Sequence, residues 1–138
     1  MTRAATPRPA PHPEDVLAPF ARTRYVNVTT FRRDGRPVPT PVGVVVDGGE
    51  VFVLTGRDSG KVKRIRNNPL VTLVPCDMNG RIAAGAAPVE GRARLLDPAG
   101  TARVRRLMSR RYPIARIAFA WDLLLRRRAH RIGIAIAV

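Results

Sequence analysis

The sequence has few of the residues that catalytic and metal sites usually require. It contains one cysteine and two histidines. A single cysteine excludes an intramolecular disulfide, and these residues together give too few ligands for a Cys/His zinc site, so no metal centre is predicted. His12 lies in a proline-rich segment and His130 lies beside arginines. The sequence therefore disfavours a Ser-His-Asp triad and a catalytic histidine base.

Acidic residues and long apolar runs are also scarce. Aspartate and glutamate together number 10, and most of the aspartates lie in predicted turns, which disfavours a hydrolase with paired carboxylates. No apolar run approaches the roughly 18 residues of a membrane helix, so no membrane span is expected. The first arginines are followed by prolines rather than by an apolar segment. We therefore expect no signal peptide and a cytoplasmic location.

Basic residues, in contrast, are abundant. Lysine and arginine number 25 and give a net charge of +15, yet Lys61 and Lys63 are the only lysines. This preference for arginine is typical of a GC-rich genome. The positive field still attracts anions, which leaves nucleic acid, an acidic membrane surface or a polyanionic small molecule as partners. Because aromatic residues make up only 5% and the strands carry no stacking platform, nucleic-acid binding stays a remote alternative and is not expected.

The chain length suits one domain, and the patterning predicts that this domain is mainly β. Residues 1–13 are rich in proline and read as a disordered tail, which leaves 14–138 as the folded domain. Alternating apolar and β-branched segments between turn residues predict six strands. They cover residues 25–31, 37–46, 50–55, 70–76, 89–96 and 131–138.

These strands predict a small, mainly antiparallel barrel rather than a parallel α/β sheet. Short helices are expected at 14–21, 59–68, 97–111 and 114–128. The chain has neither a G-x-G-x-x-G unit nor a P-loop, so the common nucleotide-binding folds are unsupported. Because prolines cannot donate to a ladder, Pro37, Pro39 and Pro41 predict that part of the second strand is an edge or a bulge.

The strongest candidate for a binding site is the segment 55–66, where a strand ends and a basic helix begins near Ser59. Free backbone N–H groups and the helix dipole favour a phosphate there, and the Ser59 hydroxyl can donate to it. On a helical period Lys61 and Arg64 lie near one face. Lys63 and Arg66 are displaced towards another. The alternative interpretation is a solvated basic helix that covers one end of the barrel. With so few acid–base residues, an enzyme built this way needs a cofactor for its chemistry.

An ordered series of short motifs carries a family resemblance. The motifs are Thr30–Gly35, Thr40–Val42, Thr55, Ser59–Arg66, Asn68–Pro69, Val74–Asp77 and Val89–Arg92. The series resembles the actinobacterial deazaflavin-dependent oxidoreductases of the pyridoxamine-phosphate-oxidase-like class, a superfamily of six-stranded, antiparallel split β-barrels that bind flavins. The resemblance runs from about Arg22 to Val138.

The resemblance implies a homodimer with two cofactor clefts at its interface, and the usual ligand of this branch is coenzyme F420. The phosphate and polyglutamate tail of F420 are both anionic, which gives the basic surface a purpose. By motif, the phosphate would be held by Thr55, Ser59, Lys61 and Arg64. Thr40, Pro41 and Val42 would lie along the deazaflavin ring, mainly through backbone contacts.

The implied reaction is hydride transfer from the reduced deazaflavin to an unsaturated or quinone-like small molecule. The resemblance assigns no catalytic side chain, since the protein would supply alignment and a dry pocket. Two alternatives stay open within the same fold: an FMN-binding oxidoreductase and a non-catalytic cofactor carrier. Gly43 departs from the pattern, because a bulky aromatic residue often follows the Thr40–Val42 motif, and this leaves the substrate preference open. Cys76 and Tyr112 are expected to serve in packing.

Overall fold

The structure is a computed structural model that describes residues 13–114, 117 and 130–138. The predicted tail lies outside these residues except for Pro13, at which the first helix begins. Most of the helix predicted over 114–128 also lies outside them. Of the helices that are described, none is long and apolar enough to cross a membrane.

The described residues form six strands and three helices in the predicted order. The elements are α1 Pro13–Arg22, β1 Tyr25–Phe31, β2 Pro37–Asp47, β3 Glu50–Gly56, α2 Gly60–Asn67, β4 Leu70–Cys76, β5 Val89–Leu95, α3 Pro98–Arg111 and β6 Arg131–Ala137. Every predicted strand is present, and no strand end differs by more than one residue from its predicted position. The period-2 alternation and the turn residues therefore suffice to locate the strands.

The strands close into an antiparallel barrel in the order β1-β2-β3-β6-β5-β4. Successive side chains of a strand face opposite sides, so every second residue points into the barrel. Val26 and Val28 of β1 and Ile134 and Ile136 of β6 are fully buried in this interior. The predicted fold class, a mainly β, six-stranded antiparallel split barrel with short helices, is confirmed.

Strand β2 changes its partner midway along its length. Within the described residues, Pro37–Gly43 pairs with β1 alone, and pairing with β3 begins at Val44, opposite Val53. The first half of β2 and the last residues of β3, Leu54–Gly56, therefore run apart. We call the gap between these two segments the split.

The three prolines of β2 lie along the split. Each residue of Pro37–Gly43 has one partner on β1, which leaves no bulge, and among the described residues this half has no partner on its other side. The prediction of an edge or a bulge is therefore confirmed as an edge. The Val44 N–H donates to the Arg24 carbonyl at 3.2 Å, which shows that even-numbered residues of this half direct their backbone groups towards β1. Successive residues alternate, so Pro37, Pro39 and Pro41 direct theirs into the split, where the missing N–H groups break no ladder bond.

The helices close the barrel and cover its outer face. Helix α2 contacts β1 and β5 at one end of the barrel and buries Val62 and Ile65 there. Helix α3 packs Val104 and Met108 against the outward-facing Phe52 and its neighbours. The contacts with β1 and β5 fix α2 at this end of the barrel, and a hydrogen bond from Lys61 to Thr55 joins its start to the end of β3, where the candidate site lies.

Tyr112, directly after α3, ties this helix to the point where β2 changes partner. Its hydroxyl donates to the Val44 carbonyl at 2.6 Å and accepts from the Arg111 guanidinium at 2.9 Å. Arg111 also donates to the Thr23 carbonyl at 2.8 Å. Tyr112 is thus held in structural hydrogen bonds, as its predicted packing role requires.

The close approach of α3 to β6 at Gly133 gives a test of the fold. A Cβ atom on Gly133 would lie 3.0 Å from Val104 Cγ2 and 3.3 Å from Thr101 Cα. We expect Gly133→Ala to lower the free energy of unfolding by about 1–3 kcal/mol, because the added methyl overpacks this contact. Urea denaturation measures the change. Gly43→Ala is the matched control, since a Cβ there meets no atom within 4 Å; equal losses in both variants would contradict the packing.

A candidate anion site at the start of α2

Ser59 is the N-cap residue of α2, but its side chain does not cap the helix. Its backbone is extended, as an N-cap requires, yet the hydroxyl makes no capping hydrogen bond. The Ser59 Oγ atom is buried and has no hydrogen-bond partner in the structure. A buried hydroxyl without a partner costs free energy, so a ligand that accepts from Ser59 would remove a penalty.

Lys61 is buried at the start of the same helix. Its residue is 5% exposed, and its ammonium group donates to Thr55 Oγ1 at 3.0 Å. An ammonium group carries three donors, and a threonine hydroxyl is a neutral partner. None of the ion pairs among the described residues includes Lys61. The site therefore holds a buried positive charge with no anionic partner.

The environment lowers the pKa of Lys61 from its usual value of 10.5. Desolvation is the larger cause and the charge of Arg64 is the second, because both disfavour the protonated form. A bound anion would oppose both effects by supplying the missing negative charge.

Arg64 lies one helical turn after Lys61 and leans back over the helix start. Its Nε donates to the hydroxyl of the fully buried Thr30 at 2.6 Å. Its Nη1 atom lies so near Gly60 that a Cβ on that glycine would be 2.7 Å away. The absence of a side chain at Gly60 therefore lets the guanidinium reach the first turn of α2, where Ser59 and Lys61 also lie.

The predicted division of the basic side chains between two faces of α2 is confirmed. Lys61 and Arg64 face the barrel end, whereas Lys63 and Arg66 are exposed. The alternative of a solvated basic helix describes the exposed pair but not Lys61. Thr30 was part of a motif, yet no role was predicted for it, because its contact with Arg64 joins residues 34 positions apart.

A groove with a volume of about 410 Å³ runs from the start of α2 to the β1–β2 hairpin. Its charged lining consists of Arg32, Arg33, Asp34, Arg36, Lys63 and Arg64. Asp34 forms an ion pair with Arg36 at 2.7 Å, which leaves the lining strongly positive. We call this feature the basic groove. It shares Arg64 with the site at the helix start.

The other predicted site residues lie across the split on β2. Thr40 pairs with Val28 and Val42 pairs with Val26, so the backbone groups of both face β1. Only Pro41 of the predicted trio directs its backbone into the split. The expectation that the trio lies along a cofactor ring stays a prediction, and Pro41 is the member of the trio whose carbonyl faces the split. No described hydrogen bond joins the trio to the α2 side.

Cys76 lies in a second groove, of about 380 Å³, with Asp77 and Ile82. It is half-buried rather than buried. Burial raises the pKa of its thiol, and the charge of Asp77 adds to the effect, so the nucleophilic thiolate is disfavoured. Across the described parts of the chain, no group of three or more His, Cys, Asp or Glu residues could hold a metal ion.

Because the charge of Lys61 is buried, we expect this residue to lower the free energy of unfolding of the wild-type protein. Because the folded pKa is lowered, the unfolded chain binds the extra proton, and wild-type stability rises as the pH increases towards 10.5. We expect Lys61→Met to raise the free energy of unfolding at neutral pH by about 0.5–2 kcal/mol, with a gain that shrinks towards pH 10. Urea denaturation across pH measures this. Lys63→Met is the control, and a loss of stability in Lys61→Met alone would refute the prediction.

Comparison with known proteins places this geometry in a family. The family model described as pyridoxamine 5'-phosphate oxidase matches residues 13–132. No curated protein matches the sequence. An F420 reductase is 20% identical, with 88% of this chain and 90% of that chain covered and a TM-score of 0.57.

Two further solved structures have the same fold. A FAD-binding protein from Mesorhizobium loti is 15% identical, with 89% and 84% of the two chains covered and a TM-score of 0.62. The heme storage protein HutZ from Vibrio cholerae is 13% identical, with 88% and 86% covered and a TM-score of 0.64. At these identities the similarity shows a shared fold and does not show a shared ligand or activity. The family match spans all the described strands except the last residues of β6, and the chain belongs to the pyridoxamine 5'-phosphate oxidase family.

Proposed function

We propose that this protein is an F420-dependent oxidoreductase that binds the cofactor phosphate at the start of α2. One observation carries the proposal: the buried Lys61 ammonium has a neutral hydroxyl as its described partner. Phosphate is the anion that such a helix start favours, through its free N–H groups and dipole. The fold adds support, because flavin-type cofactors are bound by relatives named an F420 reductase and a FAD-binding protein.

Each residue of the site has a distinct part in holding the phosphate. The Ser59 hydroxyl, buried and without a partner, donates to a phosphate oxygen. The Lys61 ammonium supplies a charge, and its bond to Thr55 fixes its direction. Arg64 supplies the second charge, and its Nε bond to Thr30 leaves the outer guanidinium nitrogens for the ligand.

The basic groove favours F420 over FMN. F420 carries a chain of glutamate carboxylates beyond its phosphate, whereas FMN ends at the phosphate. The groove begins at Arg64, which already belongs to the phosphate site, and continues along Arg32, Arg33 and Arg36. A ligand with further negative charges gains from this continuation, and one without them does not.

The reduced deazaflavin would supply the hydride for an unsaturated or quinone-like small molecule. The chain's own contribution is to fix the phosphate at α2 and to hold the ring along the split. The split is open on its outer side at Gly43, where a Cβ would meet no atom within 4 Å. A second copy of the chain would cover the split in the homodimer that this proposal includes, and would exclude water from the ring.

Fluorescence titration with F420 and with FMN tests the phosphate site. We expect Lys61→Met to weaken F420 binding by about 10- to 100-fold, because a buried charge-assisted hydrogen bond to the phosphate is lost. Arg66→Ala is the matched control, since it removes one positive charge from an exposed position of the same helix. At near-physiological salt its effect should stay within about twofold.

The same titration separates the alternatives. FMN binding without F420 binding would keep the site and change the cofactor. Equal losses in Lys61→Met and Arg66→Ala would show that only net charge matters, which would contradict the site. A non-catalytic cofactor carrier would bind F420 as tightly as an oxidoreductase does. It would not catalyse the oxidation of reduced F420 when quinones are added.

The basic groove makes a separate prediction about the cofactor tail. We expect Arg32→Ala/Arg33→Ala to weaken F420 binding by about 3- to 30-fold, because each exposed cation contributes about 0.3–1 kcal/mol to an ion pair. The affinity for FMN and for the deazaflavin phosphate without glutamates should not change. Titrations of the three ligands against this variant measure the difference. If the affinity for all three ligands falls by the same factor, the glutamate tail does not lie in the basic groove and the prediction is wrong.

A further inference from the structure

Gly60 is the first residue of α2, and neither its backbone nor its packing requires a glycine. Its φ lies outside the positive range that favours glycine, and the residue is exposed. Glycine is also less favourable than alanine in a helix. The three atoms nearest to a Cβ on Gly60 would all belong to the Arg64 guanidinium. The space that a side chain would fill is therefore occupied by Arg64.

The geometry of the helix brings Arg64 to this space. Side chains of a helix lean towards its N-terminus, so a long side chain covers the residue four positions earlier. A Cβ on Gly60 would lie 2.7 Å from Arg64 Nη1, which is too close for two unbonded atoms. Because Nη1 is at the end of a flexible side chain, Gly60→Ala would displace the guanidinium and leave the backbone in place.

A second contact holds Arg64 from the side of the barrel. Thr30 occupies an inward position of β1, in phase with the buried Val26 and Val28. It is fully buried, and its hydroxyl accepts from Arg64 Nε at 2.6 Å. A threonine differs from a valine by a hydroxyl in place of a methyl group. The polar group at this inward position therefore serves a contact with Arg64.

The two contacts hold Arg64 against an electrostatic force. Desolvation lowers the pKa of the Lys61 ammonium group, and the nearby charge of Arg64 lowers it further. Like charges repel, so the repulsion favours a guanidinium that turns away from Lys61 into water. The hydroxyl of Thr30 and the open space over Gly60 oppose this turn. Arg64 is thus ordered before an anion binds, and the ligand does not have to order it.

We infer that Thr30 and Gly60 are positioning residues, which hold the Arg64 guanidinium over the start of α2 for an anionic group of the ligand. This inference rests on the proposed function. It deepens that function by assigning ligand affinity to two uncharged residues, a buried hydroxyl on β1 and a missing side chain on α2. Because Arg64 also lines the basic groove, the same two residues join the phosphate site to the groove.

Fluorescence titration with oxidised F420 tests the inference without turnover. We expect Gly60→Ala and Thr30→Val each to raise the dissociation constant by about 3- to 30-fold, because a charge-assisted hydrogen bond to the ligand is weakened. Thr30→Ser keeps the hydroxyl and should bind within about twofold of the wild type. Thr29→Val is the matched control, since the neighbouring hydroxyl lies on the outer face of the strand.

Stability separates a positioning role from a structural one. Gly60→Ala should leave the urea midpoint unchanged or raise it, because alanine favours the helix, and should still weaken binding. In an Arg64→Ala background neither Gly60→Ala nor Thr30→Val should weaken binding further, since both act through Arg64. A loss of stability in Gly60→Ala, or effects that persist without Arg64, would overturn the inference.

The hydrogen bond between Arg64 and Thr30 gives a readout that needs no ligand. In proton–nitrogen NMR spectra, we expect the Arg64 Nε–H to exchange slowly with water in the wild type and in Thr30→Ser. Exchange should be fast in Thr30→Val, because the acceptor is gone. The absence of the signal in Arg64→Ala assigns it. Slow exchange that survives in Thr30→Val overturns the positioning role of Thr30.

The outcomes distinguish this inference from the proposed function. If the wild type binds F420 and the Gly60 and Thr30 variants bind it equally well, the inference fails and the proposed function stands. Pyrophosphate, followed through the Arg64 Nε–H signal, is the second probe. A wild type that binds pyrophosphate but neither F420 nor FMN overturns the proposed function. Weaker pyrophosphate binding by the variants then supports the positioning of Arg64, and equal binding overturns it. If no ligand binds, both proposals fail.

Discussion

The change of partner at Val44 is the constraint on which the rest of the structure depends. The Val44 N–H bonds to Arg24 and its carbonyl accepts from Tyr112, so the backbone is fixed where β2 leaves β1 for β3. This single transition opens the split on one side while the barrel stays closed on the other. It also determines which residues of β2 direct their backbone groups towards β1. Every proline of the first half falls at one of the other positions, where no N–H is needed for pairing. The edge and the split both follow from this arrangement.

The site at the start of α2 opposes the stability of the barrel. Val62 and Ile65 bury an apolar face, as a helix that closes a barrel end should, but Lys61 is buried beside them with a neutral partner. Ser59 adds a buried hydroxyl without a partner. Both features cost folding free energy, and both are relieved by an anion. A stable scaffold thus carries a local cost that a ligand with a phosphate would offset.

Much of the fold could be predicted because its signals are local. The strand ends follow from alternation and turn residues, and the helix faces of α2 follow from a 3.6-residue period. The site was predicted less completely. That Lys61 and Arg64 share a face was a matter of helical spacing, whereas the contact of Arg64 with Thr30 joins distant parts of the chain. The prolines predicted an edge or a bulge, and only the strand pairing decided for the edge, because proline spacing alone does not reveal which neighbour a strand pairs with. Ser59 was expected to be free for a phosphate, and the structure adds that its hydroxyl is buried.

The sequence by itself determined the strands, the turns between them and the basic helix, since each depends on residues near one another in the chain. The family resemblance, and with it the split barrel, came from the order and spacing of motifs along the whole chain. Tertiary structure decided which of the basic residues is desolvated, where β2 loses its second neighbour and what lines the basic groove. Burial and pairing are properties of segments brought together from distant positions, and periodicity carries no record of their partners. For that reason a lysine at one helix position becomes a buried charge while its neighbour two residues later remains in water.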